Sequence, residues 1–298
     1  MKQDYHQLLK PDVINSVSGL ALIARVIVDG YLAGMNSSRR IGYGMEFNQY
    51  KHYEPGDDLR LLDWKMLARS GKHYIKKSEI ETNVSVKFVI DSSKSMQHEE
   101  GAIRKIDFVK VMVAALAYLS NSQGDEIGLF SMNNLNIESL YPGGSKQHFN
   151  YFLHKLIAIE AEGTQADHRL ALQHLHTRKQ KELIIFISDM YETNRELSTV
   201  LKGLKTPKNE VIVFHVMGKN ELDFNYKGSL TFEDLETGES IKIDAGEARS
   251  SYMEALASME ESLRAELLAN DITYQLINLN TPAGTVLQSF LKKRNNMS

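Results

Sequence analysis

Apolar residues recur along this chain in two rhythms, and the rhythms alternate. Val84–Ile90 (VSVKFVI) is rich in β-branched residues, ends at Asp91, and predicts a buried strand. Ile106, Val109, Val113 and Leu116 fall at helical spacing and predict a helix over Ile103–Leu119. Glu126–Met132 predicts a strand, and Asn136–Tyr141 another after an Asn133–Asn134 turn. His148–Ile159 carries Phe149, Phe152, Leu153 and Leu156 on one helical face, and Ala166–Leu175 predicts a shorter helix. Leu183–Ile187 (LIIFI) is continuously apolar, as expected of a strand covered on both faces. Helices over Arg195–Leu204, Ala248–Ala269 and Gly284–Lys293 then interleave with strands over Val211–Val216 and Thr273–Leu279. Strands separated by helices imply an α/β fold: a doubly wound, mostly parallel sheet with helices on both faces. The tight pairing of the second and third strands makes one edge antiparallel.

Two segments break this rhythm. Residues 1–81 precede it as an N-terminal extension to an α/β domain over 82–298. Residues 218–247 interrupt that domain with turn-rich, alternating sequence (FNYKGSLTFEDLETGESIKI), which predicts an inserted acidic β-hairpin. The most apolar early stretch, Gly19–Val28, is interrupted by Arg25 and is too short to span a bilayer. No transmembrane segment and no signal-peptide frame is expected, which predicts a soluble, cytoplasmic protein.

Composition narrows the chemistry. The 298 residues include no cysteine, which excludes thiol catalysis, disulfide scaffolds and Cys–zinc sites. Lys and Arg number 35 against 38 Asp and Glu, a formal charge of -3, which argues against a dedicated nucleic-acid binder. That near-neutrality hides an uneven distribution. Residues 1–80 hold 12 basic and 9 acidic residues, whereas Glu221–Glu247 holds eight acids and two Lys. Solvated faces or separate interaction surfaces both account for this.

Candidate chemistry sits at the strand ends. Open α/β sheets place ligands beyond the carboxyl ends of their strands, where strand order reverses. In a 3-2-1-4-5-6 order the strands ending at Asp91 and at Ser188–Asp189 are neighbours across that reversal. Asp91, Ser93 and Ser95 stand at alternate positions of one loop, and Thr164 follows Glu162–Gly163. Asp91, Ser93, Ser95, Thr164 and Asp189 together offer only hard oxygen donors. Such a set suits Mg2+, with Mn2+ or Ca2+ as alternatives, rather than zinc or copper. With two carboxylates at most, a bound cation stays electrophilic enough to take a partner's Asp or Glu. Ser and Asp at strand-to-helix turns also serve simply as helix caps.

The pattern Asp91-x-Ser93-x-Ser95, Thr164, Asp189 resembles the metal-ion-dependent adhesion site of von Willebrand factor type A domains, complete at five positions over about residues 82–294. A second resemblance lies upstream. Gly42-Tyr43-Gly44-Met45-Glu46-Phe47, Tyr53-Glu54-Pro55-Gly56-Asp57-Asp58-Leu59-Arg60, Asp63-Trp64 and Ala68-Arg69 resemble bacterial domain of unknown function 58 proteins. Phe232–Glu239 resembles the insertion of that family, and Phe290-Leu291 and Arg294 fit it too. Lys51 departs from the pattern, where Arg is expected, and so lacks a planar fork for bidentate contacts. The resemblance implies a von Willebrand factor A-like fold and a non-catalytic adaptor or co-chaperone, partnered by a MoxR-type AAA+ ATPase. Asp57, Asp58, Arg60, Trp64 and Arg69 gather charge around the only Trp. They read either as a local ion-pair lattice or as a partner-binding face anchored by Trp and Arg.

The rival reading is a metal-dependent phosphoryl-transfer or phosphatase enzyme with Asp91 as nucleophile. Sites of that kind usually want a second Asp two residues on, where Ser93 stands. Dinucleotide binding is disfavoured, because no G-x-G-x-x-G joins a strand to a helix.

Overall fold

The computed structural model describes residues 9–38, 50–53, 64–76, 84–101, 103–164, 175, 182–191 and 196–295. In chain order, helices α1 (Pro11–Ile14) and α2 (Val17–Ser38) come first. Strand β1 (Tyr50–His52), helix α3 (Trp64–Ser70) and strand β2 (Tyr74–Lys76) follow. Next come β3 (Ser85–Asp91), the short pair β4 (Glu99–Glu100) and β5 (Ile103–Arg104), and α4 (Lys105–Ser122). Then come β6 (Glu126–Met132), β7 (Ile137–Gly143), α5 (Lys146–Ala158), β8 (Glu182–Ser188) and α6 (Glu196–Leu204). The last third holds β9 (Asn209–Met217), α7 (Lys219–Asp223), β10 (Ser229–Glu233), β11 (Ser240–Asp244), α8 (Ala245–Ala269), β12 (Thr273–Asn278) and α9 (Ala283–Asn295).

Six strands form one sheet in the order β12-β9-β8-β3-β6-β7. All neighbours are parallel except β6 and β7, which form the expected antiparallel edge. Counted along the sheet-forming strands alone, this is the 3-2-1-4-5-6 order. Strand order reverses between β3 and β8, the two strands that end near Asp91 and Asp189.

The alternation of side chains across a strand explains the two cores. Val86, Phe88 and Ile90 of β3 and Leu183, Ile185 and Ile187 of β8 point to one face, against α4, α5 and α9. Val89 of β3 and Ile184 and Phe186 of β8 point to the other, where Leu197, Val200 and Leu201 of α6 and Leu263 and Leu267 of α8 pack. The inserted segment forms its own two-stranded sheet, β10 with β11, in a register from Ser229↔Asp244 to Glu233↔Ser240.

The chain divides into two compact units, residues 1–32 with 84–298, and residues 33–83. This differs from the sequence-based boundary, which kept residues 1–81 together. The reason lies in α2. Leu20, Ile23, Ala24, Ile27 and Val28 recur at helical spacing, are buried, and belong to the same core as Val86 and Phe88. Arg25 faces outward instead, in an exposed pair with Asp29. The apolar stretch that is too short for a membrane is thus one face of a packed helix. Among the described residues, no helix is long and apolar enough to cross a membrane.

In the smaller unit, β1 pairs antiparallel with β2 in the register Tyr50↔Lys76. Helix α3 lies between them in sequence. Gly42–Phe47, Glu54–Arg60 and Asp63 lie outside the described residues, as does the helix expected over Ala166–Leu175 except for Leu175.

Candidate functional site

The carboxyl ends of β3 and β8 bring two aspartates together. Asp91 is the last residue of β3 and is buried. Its Oδ1 accepts the Ser93 amide at 2.9 Å and its Oδ2 accepts the Ser188 hydroxyl at 2.8 Å. Burial first, and the charge of Asp189 second, push the Asp91 carboxyl up to about 6, although the Ser93 amide and the Ser188 and Ser93 hydroxyls pull the other way. The Ser93 and Ser95 hydroxyls meet at 2.9 Å over a single turn of 3₁₀ helix, Lys94–Gln97. Lys94 itself is exposed.

Asp189 follows β8 directly and is also buried. The next residue, Met190, has a left-handed backbone (φ 53°), a strained conformation for a non-glycine residue. Ser188 links the two halves of the site. Its hydroxyl donates to Asp91 and accepts the Met190 amide at 2.9 Å.

Thr164 arrives on a third loop. The Glu162 amide donates to the Ser92 carbonyl at 2.8 Å, and the Lys94 amide donates to the Gly163 carbonyl at 3.0 Å. Thr164 itself exchanges bonds with Asn134, its amide donating to Oδ1 at 2.8 Å and its carbonyl accepting the Asn134 amide at 2.9 Å. Gly163 has φ 66°, and a Cβ there would collide with Asn134 Oδ1, so this loop closes only over glycine. The three loops bearing the five candidate donors are therefore hydrogen-bonded to one another.

Sequence reasoning missed three charged groups here. The Lys105 ammonium, at the start of α4, is buried and contacts Asp189 Oδ2 at 3.1 Å and Glu221 Oε1 at 2.7 Å. Burial alone would lower its pKa, but the charges and hydrogen bonds of Asp189 and Glu221 outweigh that and raise it. Glu221 belongs to α7, and its Oε2 accepts the Gly218 amide at 2.6 Å. The third group is Glu236, in the turn between β10 and β11. It shares with Ser95, Lys105 and Asp189 a cavity of about 680 Å³ that Tyr226 and Tyr252 also line. The spacing of apolar residues carries no signal for these groups, because each reaches the site from a distant part of the chain.

The donor set fits a hard divalent cation. Asp91 and Asp189 repel each other, and the hydroxyls of Ser93 and Ser188 bond Asp91 while Ser95 meets Ser93. Among the described residues, no group of three or more His, Asp or Glu side chains is placed to hold a metal ion. A cation here would therefore rely on the hydroxyls as well. Of the other candidate residues, Trp64 is 66% exposed and Arg69 is exposed in the last turn of α3, while Asp57, Asp58 and Arg60 lie outside the described residues.

Residues 49–262 match the profile of DUF58, described as a protein of unknown function. The chain belongs to this family. An uncharacterized protein of Mycobacterium tuberculosis is 22% identical to this DUF58 chain over 231 residues, covering 76% of this chain and 72% of the relative. Two solved structures are similar at TM-score 0.46. One is the conserved hypothetical protein BatB from Bacteroides thetaiotaomicron, 12% identical over 72% of this chain and 100% of that one. The other is an aerotolerance-related membrane protein from Bacteroides fragilis, 16% identical with the same coverage.

Proposed function

We propose that this DUF58 protein is a non-catalytic protein-binding module whose strand-end site uses a divalent cation, Mg2+ by preference, to capture an acidic side chain of a partner. The observation that carries this is the meeting of Asp91 and Asp189 beside the paired hydroxyls of Ser93 and Ser95 at the point of strand reversal. Ser93, Ser95 and Thr164 would supply neutral donors and Asp91 and Asp189 the charge. A bound cation would offer a Lewis-acidic position for a carboxylate. The protein's own part is positioning: Ser188 fixes the Asp91 carboxylate, and Lys105 holds one oxygen of Asp189 in place. The resemblance to von Willebrand factor type A domains supports the reading, and resemblance to MoxR-associated proteins nominates a MoxR-type AAA+ ATPase as the partner.

The test is affinity capture with wild type and Asp91→Ala, each in Mg2+ and in chelator. A partner held by wild type in Mg2+ and released by chelator, and never held by Asp91→Ala, is the expected result. Retention by Asp91→Ala in chelator would sink the proposal. One observation favours a second reading, a phosphoryl-transfer enzyme. Lys105 stands beside Asp189 as a buried cation of the kind such sites use to neutralise phosphate. Phosphoester hydrolysis by wild type, lost in Asp91→Asn, would establish that reading over the first.

A further inference from the structure

The inserted hairpin brings a carboxylate oxygen into the strand-end site and leaves it without a partner. Glu236 Oε1 is buried and makes no hydrogen bond. The groups around its carboxylate are Asp91 and Asp189, which are like charges, and the hydroxyls of Ser93 and Ser95, whose hydrogen bonding pulls its pKa down without offsetting burial and the charge of Asp91. Those hydroxyls are engaged with each other at 2.9 Å. The cation lining the same cavity, Lys105, already spends its ammonium on Asp189 and Glu221. Burial and the charge of Asp91 accordingly raise the Glu236 pKa.

The turn that carries Glu236 is braced by its own hydrogen bonds. Asp234 Oδ1 accepts the amides of Glu236 at 2.8 Å and Thr237 at 3.1 Å, and the Gly238 amide closes the turn on the Asp234 carbonyl at 2.8 Å. At its base, Phe232 of β10 packs on Tyr226 and Phe224, with ring centroids 5.1 and 5.9 Å away, and Phe224 packs on Tyr252 of α8 at 4.6 Å. An acid set against other acids, with one oxygen buried and unbonded and only neutral hydroxyls near it, lacks a positive group. Buried charge is otherwise paired or binds a metal.

In this structure Asp91, Asp189 and Glu236 are not grouped to hold a metal ion; we propose that Glu236 becomes the chain's own carboxylate ligand for the strand-end cation when the β10–β11 hairpin closes over the site, so that cation binding and hairpin closure are one event. This rests on the cation reading above. A partner's carboxylate would then enter only by displacing Glu236, which makes the hairpin a gate on partner binding.

Magnesium alone is the probe. Titration calorimetry with Mg2+ on wild type, Glu236→Gln, Glu239→Gln and Asp91→Ala is paired with amide hydrogen exchange of residues 229–244. Glu236→Gln keeps the side chain's size and removes only its charge. It is expected to bind Mg2+ about tenfold or more weakly, since affinity follows the number of charged ligands. Glu239→Gln, a substitution in the same hairpin, is expected to match wild type. Mg2+ is expected to slow exchange across the hairpin in wild type and not in Glu236→Gln. Unchanged affinity in Glu236→Gln, or wild-type exchange indifferent to Mg2+, overturns the proposal. If wild type binds Mg2+ no better than Asp91→Ala, the cation reading itself fails and takes this inference with it.

Discussion

Strands β3 and β8 bury charge at both ends, with opposite arrangements. Near the amino end, Lys87 of β3 is 0% exposed and pairs with Glu182 of β8 at 2.8 Å, while its ammonium also donates to the Leu175 carbonyl at 2.8 Å. At the carboxyl end of the same two strands, Asp91 and Asp189 are like charges, and burial raises the pKa of Asp91. The first arrangement completes itself within the chain. The second is left short of positive charge, with Lys105 on one aspartate and Glu236 adding a third acid. Stability accounts for the first end, and the cation proposed above would balance the second.

Substitutions at the two ends should therefore change stability with opposite signs. The largest effect is expected at the paired end. Glu182→Ala leaves the Lys87 charge buried without its carboxylate and should cost about 3–5 kcal/mol in urea unfolding. Replacing both members with apolar residues of similar volume should recover most of that loss. An equal cost for the single and double variants would show that packing, not charge pairing, governs this end.

At the unpaired end, removing a charge should help in the absence of metal. The folded-state pKa of Asp91, about 6, lies above its ordinary 3.8. Its contribution to stability is therefore fully present below pH 3.8 and lost as pH rises through about 6. In chelator, Asp91→Asn should gain stability over wild type across that window and level off above it, by at most about 3 kcal/mol. His215 works in the reverse direction, since burial lowers it to about 4, so its contribution is lost as pH falls from about 6.5. It is common to both proteins, and the difference between their urea midpoints isolates Asp91. No gain at pH 8 would remove the contrast between the two ends.

Adding the proposed cation should be measurable as well. Mg2+ at about a hundredfold over its dissociation constant should stabilise wild type by about 2.7 kcal/mol, and Asp91→Asn by far less. The smallest effect belongs to charges that meet in water. Arg294 and Glu210 pair at 2.7 Å with both side chains well exposed, and Arg294→Ala should cost about 1 kcal/mol or less by the same unfolding assay.

What the sequence discloses follows from the range of each interaction. The strand ending at Asp91 and the apolar run before Ser188–Asp189 are local signals, and the rule for sheet reversal turns them into neighbours. The antiparallel pair Glu126–Met132 and Ile137–Gly143 is equally local, set by its short turn. Helix α2 escapes notice because Gly19–Val28 is weighed only as a membrane segment, although Leu20, Ile23, Ala24 and Ile27 already keep helical spacing. Lys105 meets partners 84 and 116 residues away. Its charge within an apolar helix gives no hint of where the ammonium goes. Glu236 looks like one more solvated acid in an acidic run, and only the folded hairpin turns it inward.

The central claim is that the carboxyl ends of β3 and β8 form a cation site. Calorimetric titration of wild type and Asp91→Ala with Mg2+, at neutral pH and in otherwise identical buffer, tests it most directly. One saturable site in wild type that disappears in Asp91→Ala is the predicted result. Binding of equal strength in both proteins, or none in wild type, would contradict the account.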